Sequence, residues 1–181
     1  MKFARDILLI DIETTGMNPD KDFPLQLAAV LLDRDNLLEL GSFNTYIKHS
    51  FAQTTNDRIV QTLGITKEMW FKAPNLKESI TKFNQKFPYN VTLASQNIIN
   101  INFLQEAHRK LNIPYEFDYH ILELWTLEYL FLSKQNLKKI PTASTIGPLF
   151  NLKREKEHDA LANCRYLAEI LRRLVKAYEH I

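Results

Sequence analysis

Apolar residues gather first in three short runs, "DILLIDI" (6–12), "LQLAAVLLD" (25–33) and the stretch from Leu37 to Lys48. Each is rich in Leu, Ile and Val, and the polar segments "NPDKDFP" and "RDN" separate them, which predicts three strands joined by short turns. Beyond Lys48 the spacing becomes helical. "NDRIVQTLG" (56–64) opens on an Asn cap, and "TKEMWFKA" (66–73) opens on Thr and stops before Pro74. "NLKESITKFNQKF" (75–87) carries Leu76, Ile80 and Phe83 at helical spacing before Pro88 ends it. "VTLA" (91–94) predicts a returning strand. A helix through "FLQEAHRKLN" (103–112) follows, then a strand and helix within "YHILELWTLEYLFL" (119–132) and a short helix around "TASTIGPLF" (142–150).

The last segment has the clearest period. Ala160, Leu161, Cys164, Leu167, Ala168, Leu171, Leu174, Val175 and Tyr178 recur every three or four residues, so one apolar stripe must lie on the sheet. Strands first and helices interleaved later predict an α/β fold, a mixed sheet with helices on its faces.

Composition narrows this picture without redirecting it. The 181 residues, 45% of them hydrophobic and 24% charged, suffice for one globular domain over 1–181 that folds without staples. Basic and acidic residues, 23 against 21, are too even to announce a nucleic-acid partner. The local clusters Lys138/Lys139, Lys153/Arg154/Lys156 and Arg172/Arg173/Lys176 each read, taken alone, as solvated surface. The single cysteine, Cys164, excludes an internal disulfide framework. There is no signal-peptide pattern and no run of 18 apolar residues, so the expectation is a cytoplasmic chain with no membrane partner.

One stretch raises a chemical question. In "LLIDIETTGMNPD" (8–20) the first strand ends in Asp11 and Glu13. Residues two apart on a strand share a side of the sheet, so these carboxylates are held close with competing charges, and something positive is expected between them. The plain alternative is a strand ending in solvated acids.

Four features fall in order along the chain: D-x-E at Asp11 and Glu13, "LGIT" at Leu63–Thr66, "SQN" at Ser95–Asn97, and His158 opening the last helix in "HDALAN". Together they resemble the 3′-5′ exonucleases of the DEDDh type, the RNase T-like group that includes the proofreading subunit of bacterial DNA polymerase III. The resemblance covers essentially the whole chain and implies a ribonuclease H-like fold, a mixed five-stranded sheet flanked by helices. It also implies hydrolysis at the 3′ end of single-stranded DNA or RNA with two Mg²⁺ or Mn²⁺ ions, and a polymerase or other protein as a further partner. Hard cations of this kind take oxygen ligands and, set about 3.5 to 4 Å apart, serve the attacking and leaving oxygens.

Carried over position by position, the resemblance makes Asp11 and Glu13 metal ligands and His158 the base that takes a proton from water. Thr14, Thr15, Gly16 and Met17 would receive the terminal nucleotide, with Met17 against its base, and Asn97 belongs to the same binding surface. Each has a plainer reading: His158 as an exposed residue preceding a helix, Met17 as a cover for the core edge, and Gly16 as a turn residue free to take positive φ.

Two acids of the pattern are missing. Asn163 stands where the last motif has Asp, and it falls on the sheet side of the helical wheel. In the second motif, anchoring on Phe103 puts Asn100 at the acid position, whereas anchoring on Asn97 puts Asn102 there. An amide oxygen can ligate a hard cation but brings no charge, so one weakly held ion is expected in place of two. Asp159, a turn before Asn163, is either a substitute ligand or a first-turn acid that suits the helix dipole. A non-catalytic module binding a nucleic-acid end or a protein is the competing reading of the whole chain.

Overall fold

The computed structural model describes residues 2–49, 64–154 and 158–179. Among them, five strands form one sheet in the order β3-β2-β1-β4-β5: β1 Ile7–Thr14, β2 Pro24–Leu32, β3 Glu39–Tyr46, β4 Thr92–Ser95 and β5 Ile121–Glu123. β2 runs antiparallel to both β1 and β3, while β4 pairs in parallel with both β1 and β5. This is the mixed five-stranded sheet that was expected. Among the described residues six helices accompany it: α1 Lys67–Lys72, α2 Leu76–Lys86, α3 Ile98–Leu111, α4 Leu124–Lys134, α5 Ala143–Leu149 and α6 Ala160–Glu179. The helix expected over 56–64 lies, but for Gly64, outside the described residues.

Alternation along β1 sorts the core into two layers. Ile7 and Leu9 pack with Ala28, Val30 and the stripe of α6, whereas Leu8, Ile10 and Ile12 pack with Ile80 and Phe83 of α2 and Ile101 and Leu104 of α3. The sheet is therefore covered on both faces, which is why β2 reads as an apolar run broken only at Gln26 instead of an alternating one. Phe43, Phe83 and Phe87 meet edge to face at one end of the second layer.

The helix starts follow local chemistry. Thr66 caps α1 by accepting from the Met69 N–H, and Asn75 and Glu78 form a reciprocal capping box at α2. The helix α3 starts at Ile98, five residues before its first apolar-periodic signal, because Asn97 accepts from the Ile99 N–H and opens it. At α6 the cap is Asp159, whose carboxylate accepts from the Ala162 N–H.

A buried glutamine ties α6 to the sheet. Gln26, wholly buried on β2, accepts from the Ala160 N–H at 3.2 Å and donates to Asn44 on β3 at 3.0 Å. The first turn of α6, which carries Asn163, is thereby fixed against β2 and hence against β1.

Candidate functional site

Asp11 and Glu13 continue the Ile7/Leu9 side of β1, the side that faces α6. Pairing of β1 with β4 reaches only Leu9↔Ala94, so beyond Ile10 one edge of β1 is left uncovered. The first turn of α3 enters there. Asn100 accepts from the Ile12 N–H at 3.3 Å and donates to Asp11 Oδ1 at 3.0 Å. From the opposite side, Asn163 Nδ2 donates to Asp11 Oδ2 at 2.9 Å and to Glu13 Oε1 at 3.1 Å. Arg154 closes the set, with Nε and Nη2 at 3.0 and 2.6 Å from Asn163 Oδ1.

These groups lie in a cleft of about 640 Å³, bounded on one side by the β1–β2 loop and on another by Trp125 and Thr142. Burial pushes the Asp11 carboxyl up to about 7; the bond from Asn163 opposes this, the Glu13 charge adds to it, and the bond from Asn100 opposes it again. Glu13 is also raised, by burial first, with the Arg154 charge pulling it back down. The Glu128 carboxyl, buried in the cleft wall and accepting from Gln96 Nε2 at 2.8 Å, is pushed by burial to about 7.

The structure brings most of the expected residues to this cleft and separates one from it. Thr14, Thr15, Gly16, Met17, Asn97, Asn100, His158 and Asn163 all line it with Asp11 and Glu13. Asn102 does not. Two residues beyond Asn100 on α3, it turns away and lies in a separate depression with Asp20 and Arg109, because successive helix positions are about 100° apart. Of the two, Asn100 is the one placed in the cleft beside Asp11. Asp159 is used as the α6 cap and lies in another depression beside Asn44 and Lys153.

His158 stands half-exposed at the rim, with Nδ1 4.0 Å from Glu13 Oε2. Its φ of +58° is a left-handed conformation unusual for a residue with a side chain. Thr15 and Gly16 have structural work in the loop. The Thr15 hydroxyl accepts from the Phe23 N–H, Asp22 accepts from the Asn18 N–H, and a Cβ on Gly16 would run into the Asp22 carboxylate. Met17 at the loop tip is 69% exposed beside the cleft, with no core to cover.

Sequence reasoning missed Arg154, Trp125 and Glu128, and gave Gln96 no role beyond its place in "SQN". Arg154 was visible only as one member of a basic cluster. Trp125 and Tyr129 stack at 5.3 Å, one helical turn apart on α4, with Trp125 on the cleft. Their i, i+4 spacing was the available signal.

A doubly covered mixed sheet with paired carboxylates at the end of its first strand, faced by polar side chains from two helices, defines a nuclease-type scaffold. The chain belongs to the RNase T exonuclease family, whose sequence profile matches residues 8–171. It is similar to the PolC-type DNA polymerase III of Caldanaerobacter subterraneus subsp. tengcongensis, at 24% identity over 97% of this chain and 12% of that protein. It is also similar to the PolC-type enzyme of Mycoplasmopsis pulmonis, at 25% identity over 72% of this chain and 8% of that one. The chain thus spans about a tenth of the length of these curated relatives. Among solved structures, the nuclease domain of 3′hExo, described as a DEDDh family member bound to rAMP, superposes with a TM-score of 0.80 at 16% identity, covering 98% of this chain and 95% of that one. The zinc-bound E. coli ExoI–ssDNA complex gives 0.81 at 19% identity, over 96% of this chain and 41% of that one. The fold is accordingly the ribonuclease H-like fold of these exonucleases.

Whether the site suits a pair of divalent ions depends on its donors. Arg154 and the Ile12 N–H can only donate, so they fix Asn163 Oδ1 and Asn100 Oδ1 toward themselves and turn both amide NH₂ groups inward. Two carboxylates faced by inward N–H groups are not the oxygen cage that a Mg²⁺ or Mn²⁺ pair requires. Among the described residues, no cluster of three or more His, Cys, Asp or Glu could hold an ion. No helix among them is long and apolar enough to cross a membrane.

Proposed function

We propose that this domain receives the 3′ end of a single-stranded DNA or RNA in the Asp11/Glu13 cleft and holds it, with metal-dependent hydrolysis reduced to a residual level. The observation that carries this reading is the combination of a family cleft with its rim intact and an interior rewired: Asn163 Nδ2 donates to both Asp11 and Glu13. In an active site of this family's chemistry the same space would hold cations and demand acceptors. Here the carboxylates are satisfied by amide donors.

The substrate class is supported by the neighbours, one described as recognising the 3′ end of a histone mRNA stem-loop and another bound to single-stranded DNA. Thr14, Thr15, Gly16, Met17 and Asn97 line the side of the cleft where a terminal nucleotide would enter, and His158 is set beside Glu13. Likeness to PolC-type polymerases supports a polymerase as the companion that presents the end. A single domain in a reducing, cytoplasmic setting fits the lone buried Cys164.

The deciding experiment is fluorescence anisotropy with short single-stranded DNA and RNA, bearing either a free or a blocked 3′-hydroxyl, run beside a hydrolysis assay in Mg²⁺ and in Mn²⁺. Binding that depends on the free 3′ end, with little or no hydrolysis, is expected. Efficient 3′-5′ hydrolysis by the unmodified chain, or equal binding of both ends, overturns the reading.

A further inference from the structure

The Arg154–Asn163 contact reaches further than charge compensation. Asp11 Oδ1, Asp11 Oδ2 and Glu13 Oε1 each accept from an amide N–H. The one acceptor on Asn163 is bonded to Arg154 through two nitrogens. A divalent ion entering between Asp11 and Glu13 would need Asn163 to turn its oxygen inward. That rotation would set the amide NH₂ against the guanidinium, donor against donor, and break both bonds from Arg154. Arg154 therefore latches Asn163 in the orientation that feeds the carboxylates and resists a metal.

Arg154 is also a cation with capacity to spare. A guanidinium carries five N–H donors in a planar fork, and only Nε and Nη2 are engaged with Asn163. Its Nη1 has no hydrogen-bond partner among the described residues. The side chain is exposed on the cleft lining, so that edge is open to a ligand. Planar guanidinium edges match phosphate oxygens well.

We propose that Arg154 stands in for a divalent ion in this site: it locks Asn163 against metal entry and presents its free edge to the phosphodiester of a bound 3′ end, so that end binding is independent of divalent metal. The phosphate half rests on the end-binding reading above. The metal half rests on the free protein alone.

The test separates the two. Binding of Mn²⁺ alone to the full chain, read by electron paramagnetic resonance, is expected to be weak. Arg154→Ala, which releases Asn163 to turn, is expected to tighten it by about tenfold, a change of about 1.4 kcal/mol. Because Arg154 is exposed, the replacement leaves the core in place, which circular dichroism checks. Arg154→Lys keeps the charge but lacks the fork, so it should also tighten Mn²⁺ binding while retaining part of the oligonucleotide affinity. In anisotropy, the unmodified chain should bind a 3′-hydroxyl oligonucleotide equally in EDTA and in Mg²⁺, and Arg154→Ala should lose about tenfold in EDTA. Unchanged Mn²⁺ affinity in both variants overturns the latch. Oligonucleotide binding that requires Mg²⁺, or that survives Arg154→Ala in EDTA, overturns the stand-in role. A chain that binds no oligonucleotide under any condition fails the end-binding reading and the phosphate half with it, and the Mn²⁺ measurement still decides the latch.

Discussion

Asn163 Nδ2 lies 2.9 Å from Asp11 Oδ2, joining two residues 152 positions apart, one on the last helix and the other on the first strand. This contact sets two-sided demands on position 163. An amide there donates to carboxylates; a carboxylate there would repel them unless a cation came between.

Asn163→Asp should therefore destabilise the metal-free domain. Replacing the donor leaves buried Asp11 short of a partner and adds a like charge beside Asp11 and Glu13, a loss of about 1 to 3 kcal/mol. For a domain of this size that corresponds to a Tm lowered by about 3 to 10 °C. Scanning fluorimetry in EDTA reads the drop, and millimolar Mn²⁺ should recover much of it, because an ion bound only by the folded state stabilises by mass action. A variant as stable in EDTA as the unmodified chain would show that the bond contributes nothing.

Activity is expected to return only when both amides become acids. Asn100→Asp with Asn163→Asp restores four carboxylates around the cleft, and this double variant should hydrolyse a single-stranded oligonucleotide from its 3′ end well above the unmodified chain. Adding His158→Ala should remove most of that gain, since loss of a general base costs about 10² to 10⁴ in rate. Asn102→Asp in place of Asn100→Asp serves as the control and should give no gain, because Asn102 faces a different depression. A chain that remains inert as the double variant would place the defect elsewhere, with Arg154 the first residue to examine.

The contrast between Asn100 and Asn102 also marks what the sequence could convey. Strand alternation placed Asp11 and Glu13 on one side of β1, and the wheel of α6 turned Asn163 toward the sheet, since both follow from local periodicity. The register of the second motif did not, because the start of α3 depends on a cap at Asn97 that no apolar pattern announces. Arg154 was hidden for a different reason. It lies on an irregular segment, and only the tertiary fold carries its guanidinium to Asn163. Gln26 reads in sequence as a polar interruption of β2, yet it fixes the start of α6.

Glu128 supplies a pH signature independent of the paired acids. Its folded pKa, about 7, lies above the ordinary value of 4.5 because the side chain is buried. A raised carboxyl favours the protonated folded state, so its favourable contribution is full below 4.5 and is lost as pH rises to about 7. The protonated acid can also donate to Gln96 Oε1, which is buried without a partner among the described residues. Glu128→Gln should therefore raise Tm at pH 8, where the charged form costs up to about 3 kcal/mol, and should change it little at pH 4. Equal shifts at both values would remove titration of Glu128 as the cause.

The cleft wall offers the last test of how an end is held. Trp125 lines the cleft and stacks on Tyr129 at an interplanar angle of 15°, which leaves an aromatic face supported from behind. Bases stack on such faces with little sequence preference, each worth about 1 to 3 kcal/mol. Trp125→Ala should therefore weaken single-stranded oligonucleotide binding by about 5- to 150-fold, for DNA and RNA alike, since stacking does not read the 2′-hydroxyl. Met17 across the cleft is a flexible, polarisable contact, and Met17→Ala should cost a smaller, few-fold loss. Leu130, exposed on the same helix but absent from the cleft lining, is the control site, and Leu130→Ala should leave affinity unchanged. If Trp125→Ala and Leu130→Ala bind equally well, the nucleic acid does not pass over α4, and the bound end must be held by the rest of the cleft, the β1–β2 loop, Asn97, His158 and Arg154.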